Sequence, residues 1–307
     1  MGEVMGDLLW TIFKALFSPL LLFGDMDQFL HDISISIYKF TIRLWNVMSL
    51  QSLNYAAASP AAASPAGYGQ VQNLAGVLQL VATSILTICL LYRFFKTFNE
   101  SRMEVNFGTI VRILIVMYIC AAVTLNASEI MSQILTMGTG LCQLVGLGSS
   151  ALEEDAQIMS IMTDGEPGIP TLRFMIVFMV SVMTTGAGML IMVVQRLLRI
   201  LVMLPFAGMA IATIVGSGKV GEIGYSYLRA FGAYCLEGAI IILIISLGNG
   251  LVNAGLFHSL VDVVVDTEEW WGFFKIVISG VCQMMGCSMV AGMVKASDSL
   301  VHKMFGL

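Results

Sequence analysis

Apolar residues recur along this chain in long blocks with few polar positions to interrupt them. The longest is Thr171 to Gln195 (TLRFMIVFMVSVMTTGAGMLIMVVQ). Its single charge is Arg173, at one end, and Arg196 and Arg199 follow just past the other. At 1.5 Å rise per residue, about 20 apolar residues cross the roughly 30 Å hydrocarbon core of a bilayer. The pattern predicts five full membrane spans, at about 73–95, 107–126, 171–195, 229–256 and 271–294. Between the second and third, Ser128 to Gly148 is apolar but rich in Gly, Ser and Thr, and either lies on the membrane or re-enters it.

The flanks are different. Residues 1–50 carry charges between short apolar stretches, such as Ala15 to Phe23 with Pro19. They predict amphipathic helices in the membrane interface, with Trp10 and Trp45 as anchors; partial insertion as a hairpin is the alternative. Residues 51–72 hold no charge and repeat AAASP, which reads as an Ala/Ser/Pro linker. The domain plan is therefore amphipathic helices over 1–50, a linker over 51–72, a transmembrane helical core over 73–295 and a tail over 296–307. The fold class expected is an all-α polytopic membrane bundle.

Charge orients this plan. The loop with Arg93, Lys96 and Arg102 should be cytoplasmic, since cytoplasmic loops collect Lys and Arg. The acidic stretch with Glu153, Glu154, Asp155, Asp164 and Glu166 is then external. Leu197 to Ile214 is apolar but short, and broken by Pro205 and Gly208. Arg196 and Arg199 before it, and Lys219 and Arg229 after it, both favour the inside, so a re-entrant or interfacial hairpin is expected. Its backbone must then be covered by protein or line water, because unpaired amides facing lipid are costly. This arrangement puts ten of the fifteen Lys and Arg residues inside, with the N-terminus outside and the C-terminus cytoplasmic.

Composition agrees. The chain is 58% hydrophobic and 11% charged, against about 25% charged in soluble domains. That leaves no allowance for a globular enzyme domain. Glu3 and Asp7 stand where a cleavable signal peptide would be basic, so none is expected. The six cysteines lack CxxC spacing and read as apolar fillers; the 22 methionines read as adaptable packing.

Candidate chemistry is sparse. Gly216-Ser-Gly-Lys219 is not a phosphate loop, because Thr213 replaces the first Gly and Val220 follows the Lys. His31, His258 and His302 have no carboxylates at metal-ligand spacing, and no Ser/His/Asp arrangement is present in the sequence. No cofactor or metal is expected. Glu237 is the one acid inside a span. It reads either as a pore-lining or proton-relay residue, or as a structural hydrogen bond to a neighbouring helix. Arg196 and Arg199 share a helix face and read either as an anchor or as a contact for a polyanion or an acidic partner. Tyr225, Tyr227 and Arg229 follow on the same expected side. Trp270, Trp271, Phe273 and Phe274 read as an aromatic belt, and Gly186, Gly188, Gly248, Gly250, Gly280 and Gly286 as close helix contacts.

Residues 194–245 (VQRLLRILVMLPFAGMAIATIVGSGKVGEIGYSYLRAFGAYCLEGAIIILII) resemble the core of the TrbL-like family, polytopic inner-membrane components of conjugative type IV secretion systems. The variants most similar come from Gram-positive conjugative elements. The shared features are an Arg-containing segment running into a Pro-containing apolar stretch (Arg196, Arg199, Pro205), a polar turn (Gly224, Tyr227, Leu228, Arg229), and a long span with an amide or acid before Gly (Glu237, Gly238). Glu237 stands where Gln is usual, and Val220 or Gly221 where Trp is usual. The resemblance implies a non-enzymatic, oligomeric channel or scaffold subunit that helps pass DNA–relaxase or protein substrate across the cytoplasmic membrane. Its implied partners are lipids, other secretion-system membrane subunits, cytoplasmic ATPases and single-stranded DNA with relaxase. Arg196, Arg199, Pro205, Tyr227, Arg229 and Glu237 become candidate pore or inner-face residues. A small-solute or ion transporter coupled through Glu237 is the alternative from another class.

Overall fold

A computed structural model describes residues 26–100, 107–146, 151–164, 169–216, 219–254 and 272–306. Apart from short turns and the extended segment 151–155, these are helical. The order is α1 (Met26–Ala57), α2 (Pro60–Ala63), α3 (Pro65–Glu100), α4 (Phe107–Leu125), α5 (Ala127–Gly146), α6 (Ala156–Asp164), α7 (Ile169–Met203), a 3-10 turn (Leu204–Phe206), α8 (Ala207–Ile214), α9 (Lys219–Asn253) and α10 (Gly272–Met304). Among the described residues, four helices are long and apolar enough to cross a membrane, and the bent pair α4–α5 makes five if it counts as one span. This is an all-α, multi-pass membrane fold. The expected insertion of residues 8–23, Trp10, and the belt residues Trp270 and Trp271 lie outside the described residues.

The expected linker is not a linker. Residues 51–57 complete α1, and 60–72 are helical with only short breaks. The repeated Ser-Pro dipeptide explains this. Ser59 is the N-cap of α2, its side chain accepting from the Ala62 N–H, and Pro60 follows at the first helical position. Ser64 and Pro65 repeat the order at the start of α3. Proline is tolerated there because the first helical N–H has no partner to lose. A composition that looks like a flexible tether thus encodes two helix starts.

The expected hairpin at 197–214 is also corrected. The helix α7 runs on through Arg196 and Arg199 to Met203, and Pro170–Ile214 forms one continuous candidate span of 45 residues. Pro205 sits in the 3-10 turn, where it interrupts the ladder without reversing the chain. The sharp bend lies instead at Asn126, where α4 and α5 meet at 65°. The expected tail over 296–307 is the end of α10, helical to Met304.

The described chain divides into two compact units. The first comprises 1–53, 146–192 and 243–295, the second 54–145, 193–242 and 296–307. The first has a core that includes Tyr38, Trp45, Phe178, Met175 and Met189, each almost wholly buried. Trp45 is therefore no interfacial anchor: it is fully buried, and its indole N–H donates to Asn249 Oδ1 at 3.2 Å. A Cβ on Gly286 would lie 2.6 Å from the Val252 side chain, so this glycine does permit close helix approach. The second unit is built on Met131, Leu135, Ile200, Leu204, Ala207, Ile211, Phe231 and Cys235.

Candidate functional site

The second unit gathers the charged residues that the sequence singles out. Arg196 lies in α7 and is only 4% exposed. An arginine there stays charged, so it must find acceptors inside the protein. Its Nε–H donates to the Tyr234 carbonyl at 2.8 Å, one Nη to the Cys235 carbonyl at 3.3 Å, and the other to the Ala56 carbonyl at 3.1 Å. Tyr234 and Cys235 lie within α9, and a helical carbonyl has a second lone pair to give. Ala56 is the penultimate residue of α1, among the carbonyls a helix end leaves unpaired. A cation at the negative end of a helix is favourable there.

Room for the guanidinium comes from Gly238. A Cβ at that position would lie 2.6 Å from Arg196 Cζ and 2.7 Å from Nη1. The neighbouring Glu237 is 5% exposed and within electrostatic range of Arg196. Its Oε1 accepts from the Ser297 hydroxyl at 3.4 Å, while Oε2 is buried with no hydrogen-bond partner among the described residues.

Arg199 is treated differently. It is partly exposed and pairs with Asp298 Oδ2 at 2.8 Å, and its guanidinium carbon lies 5.7 Å from the centre of the Tyr234 ring. His302 stands one turn after Asp298 on α10, with Nε2 3.1 Å from Oδ1, and its ring meets Tyr234 edge-on. The expected basic face of Arg196 and Arg199 is thus not formed. One cation is consumed inside the protein and the other is neutralised by Asp298. Both face α9 because residues three apart share a helix face.

Pro205 and Tyr227 form a second pairing. In the 3-10 turn the Ala207 N–H bonds to the Leu204 carbonyl instead of the Met203 carbonyl, which has a lone pair to offer another donor. The Tyr227 hydroxyl donates to it, and the Tyr227 ring stacks on Phe231 at 6.5 Å and 11°. Arg229 and Tyr225 are exposed and join neither cluster. Among the described residues, no group of three His, Cys, Asp or Glu is placed to hold a metal ion. Chemically, the site clamps helices through a buried cation and holds one carboxylate oxygen unspent.

Sequence reasoning misses the polar core of the first unit. The extended segment 151–155 is held by side-chain amides. Asn46 donates to the Leu152 carbonyl at 2.9 Å and accepts from the Leu152 N–H at 2.8 Å. Asn253 accepts from the Glu153 N–H at 3.0 Å and donates to the Ala151 carbonyl at 2.7 Å. Two asparagines thereby supply the ladder that a neighbouring strand would otherwise provide. The Asp155 N–H donates to Tyr38 Oη at 2.8 Å, Tyr38 donates to Gln283 Oε1 at 3.2 Å, and Ser279 donates to Asp155 Oδ2 at 3.1 Å. The one signal available in the sequence was the placing of Asn46, Asn249, Asn253 and Gln283 in otherwise apolar helices.

Comparison with protein-family models, curated proteins and solved structures gave no match.

Proposed function

We propose that this chain is a non-enzymatic channel or scaffold subunit of a conjugative type IV secretion system, assisting transfer of DNA–relaxase or protein substrate across the cytoplasmic membrane. The observation that carries the reading is a convergence. Residues 194–245 carry the resemblance to the TrbL-like family, and their distinctive positions interlock: Arg196 fits against Gly238 beside Glu237, and Tyr227 donates to the Met203 carbonyl at the turn that holds Pro205. The resemblance therefore rests on side chains that depend on one another. In this reading the chain works as an oligomer with other secretion-system membrane subunits and cytoplasmic ATPases. Its N-terminus lies outside and its C-terminus in the cytoplasm. Arg196 and Glu237 hold the helices, and the exposed Arg229 and Tyr225 are the ones available to partner or cargo.

The test is genetic. Deleting the gene from a donor strain should abolish conjugative transfer, and the wild-type gene in trans should restore it. Arg229→Gln with Tyr225→Ala should insert normally and restore transfer poorly. Undiminished transfer from the deletion strain would overturn the reading.

One observation favours a second reading, a small-solute or ion transporter. It is the buried, unpartnered Oε2 of Glu237, the kind of carboxylate a coupling site uses. Solute uptake into vesicles holding this chain alone, lost in Glu237→Gln, would select it.

A further inference from the structure

A second polar feature stands apart from the Arg196 cluster and owes nothing to the reading above. Within the second unit, a cavity of about 340 Å³ is lined by Tyr68, Gln72 and Gln79 of α3 and by Ser128, Glu129 and Ser132 of α5. At about 30 Å³ per water it has room for roughly eleven waters, enough for a small polar group.

Its hydrogen-bonding capacity is largely unspent. Gln79 uses one N–H on the Leu125 carbonyl at 2.6 Å, and Ser132 donates to the Glu129 backbone carbonyl at 2.7 Å. That leaves the Gln79 side-chain carbonyl, the Ser132 lone pairs and the Glu129 carboxylate as acceptors. The Glu129 carboxylate has no ion pair or hydrogen bond among the described residues, and no basic side chain lines the cavity. Gln72, Ser128 and Tyr68 supply donors beside them.

The surroundings are oily. On the adjoining face of α3, Leu74, Val77 and Leu80 are 47%, 64% and 73% exposed. The apolar window of α3 is only 11% buried, so most of this helix faces something other than the described residues. From Gln72 to Lys96, at 1.5 Å per residue, α3 rises about 36 Å. The cavity and the basic end of the helix (Arg93, Lys96) are thus separated by about one hydrocarbon thickness, roughly 30 Å. With that basic end at one membrane surface, the cavity sits at the headgroup level of the other.

We propose that this cavity binds the headgroup of a phospholipid bearing a primary ammonium, such as phosphatidylethanolamine. The ammonium donates to Glu129, Gln79 and Ser132. The phosphate accepts from Gln72, Ser128 and Tyr68, and an acyl chain lies along Val77 and Leu80. A choline headgroup has no N–H to donate. A glycerol headgroup brings net negative charge to a site whose one charged residue is Glu129.

The test is native mass spectrometry of the detergent-purified full chain. It is titrated with dioleoyl phosphatidylethanolamine, phosphatidylcholine or phosphatidylglycerol, and separately with tail-free phosphoethanolamine. Phosphatidylethanolamine should bind best. Glu129→Gln should weaken it about tenfold or more, the scale of one hydrogen bond to a charged group. Ser132→Leu, which keeps the charge but fills the cavity, should remove it, with helicity and melting followed by circular dichroism in both variants. Equal binding of the three lipids, or unchanged binding in the two variants, overturns the proposal. Phosphoethanolamine binding as tightly as the lipid overturns the lipid assignment in favour of a soluble amine.

Discussion

The guanidinium of Arg196 occupies the space that a Cβ on residue 238 would need. Glycine in mid-helix ordinarily costs about 1 kcal/mol relative to alanine. Gly238→Ala should therefore stabilise the protein if propensity decides, and destabilise it if the contact decides. Overpacking costs about 1–3 kcal/mol, and displacing a buried charge from its acceptors adds to that. The expected outcome is a net loss on the order of 2–4 kcal/mol, seen as a lower melting temperature by size-exclusion thermal stability in detergent. A variant as stable as wild type would show that Arg196 has another place to go.

Arg196 and Arg199 stand three residues apart, yet they should respond very differently. Arg196→Met removes a cation from three carbonyls and takes from the buried Glu237 the larger of the two positive charges that act on it, leaving Arg199 against the repulsion of Asp298. Breaking a buried pair from one side costs about 3–5 kcal/mol. Adding Glu237→Gln should return part of that loss, with a coupling of about 0.5–3 kcal/mol in the double-mutant cycle. Lysine should not replace Arg196, since a point charge on a flexible stem does not reproduce the planar fork. Arg199→Gln breaks a solvent-screened pair and should cost about 0–1 kcal/mol. Similar losses at the two positions would contradict the burial pattern.

The spans were legible because their signal is length: a long apolar block has few other homes than a bilayer. The all-α, multi-pass character followed from it. What failed were features that depend on one or two residues or on distant partners. AAASP looks like a tether by composition, but Ser-Pro is also a cap followed by a first-turn proline, and only the structure shows which. The bend at Asn126 needs no proline or glycine and leaves almost no mark. Pro205 marks a break, but residue type does not say whether the chain turns back after it. The fate of Arg196 was out of reach because its acceptors are backbone carbonyls, which every residue carries. The first unit's polar core pairs Tyr38 with Gln283 across 245 positions, and no periodicity reports that.

Segment 151–155 hangs on Asn46 and Asn253. Asn253→Leu removes two hydrogen bonds, each worth about 1 kcal/mol net, so local opening should become roughly thirtyfold easier. Amide hydrogen exchange should therefore accelerate at Leu152 and Glu153 while the interior of α9 stays protected. Limited proteolysis should likewise cut the variant in this segment first. Exchange at wild-type rates would mean that the Asn46 pairing alone fixes the segment.

Tyr38 gives the first unit a pH dependence of definite sign. Its hydroxyl donates to Gln283 and accepts from the Asp155 N–H. Burial, reinforced by the nearby charges of Asp155 and Glu154, raises its pKa above the ordinary tyrosine value near 10, against a smaller opposing effect of the hydrogen bonds. Above pH 10 the unfolded chain releases this proton while the folded chain keeps it, so folding is progressively penalised as pH rises. The contribution is fully present below about pH 10 and declines above it. Tyr38→Phe loses the two hydrogen bonds and should be less stable at neutral pH by about 1–2 kcal/mol. Phenylalanine has no proton to lose, so the melting temperatures of wild type and variant should converge between about pH 9 and 11. Every other side chain is common to the two proteins, so the convergence isolates Tyr38. A gap that stays constant across that range would mean that the hydroxyl ionises as readily in the folded chain as in the unfolded one.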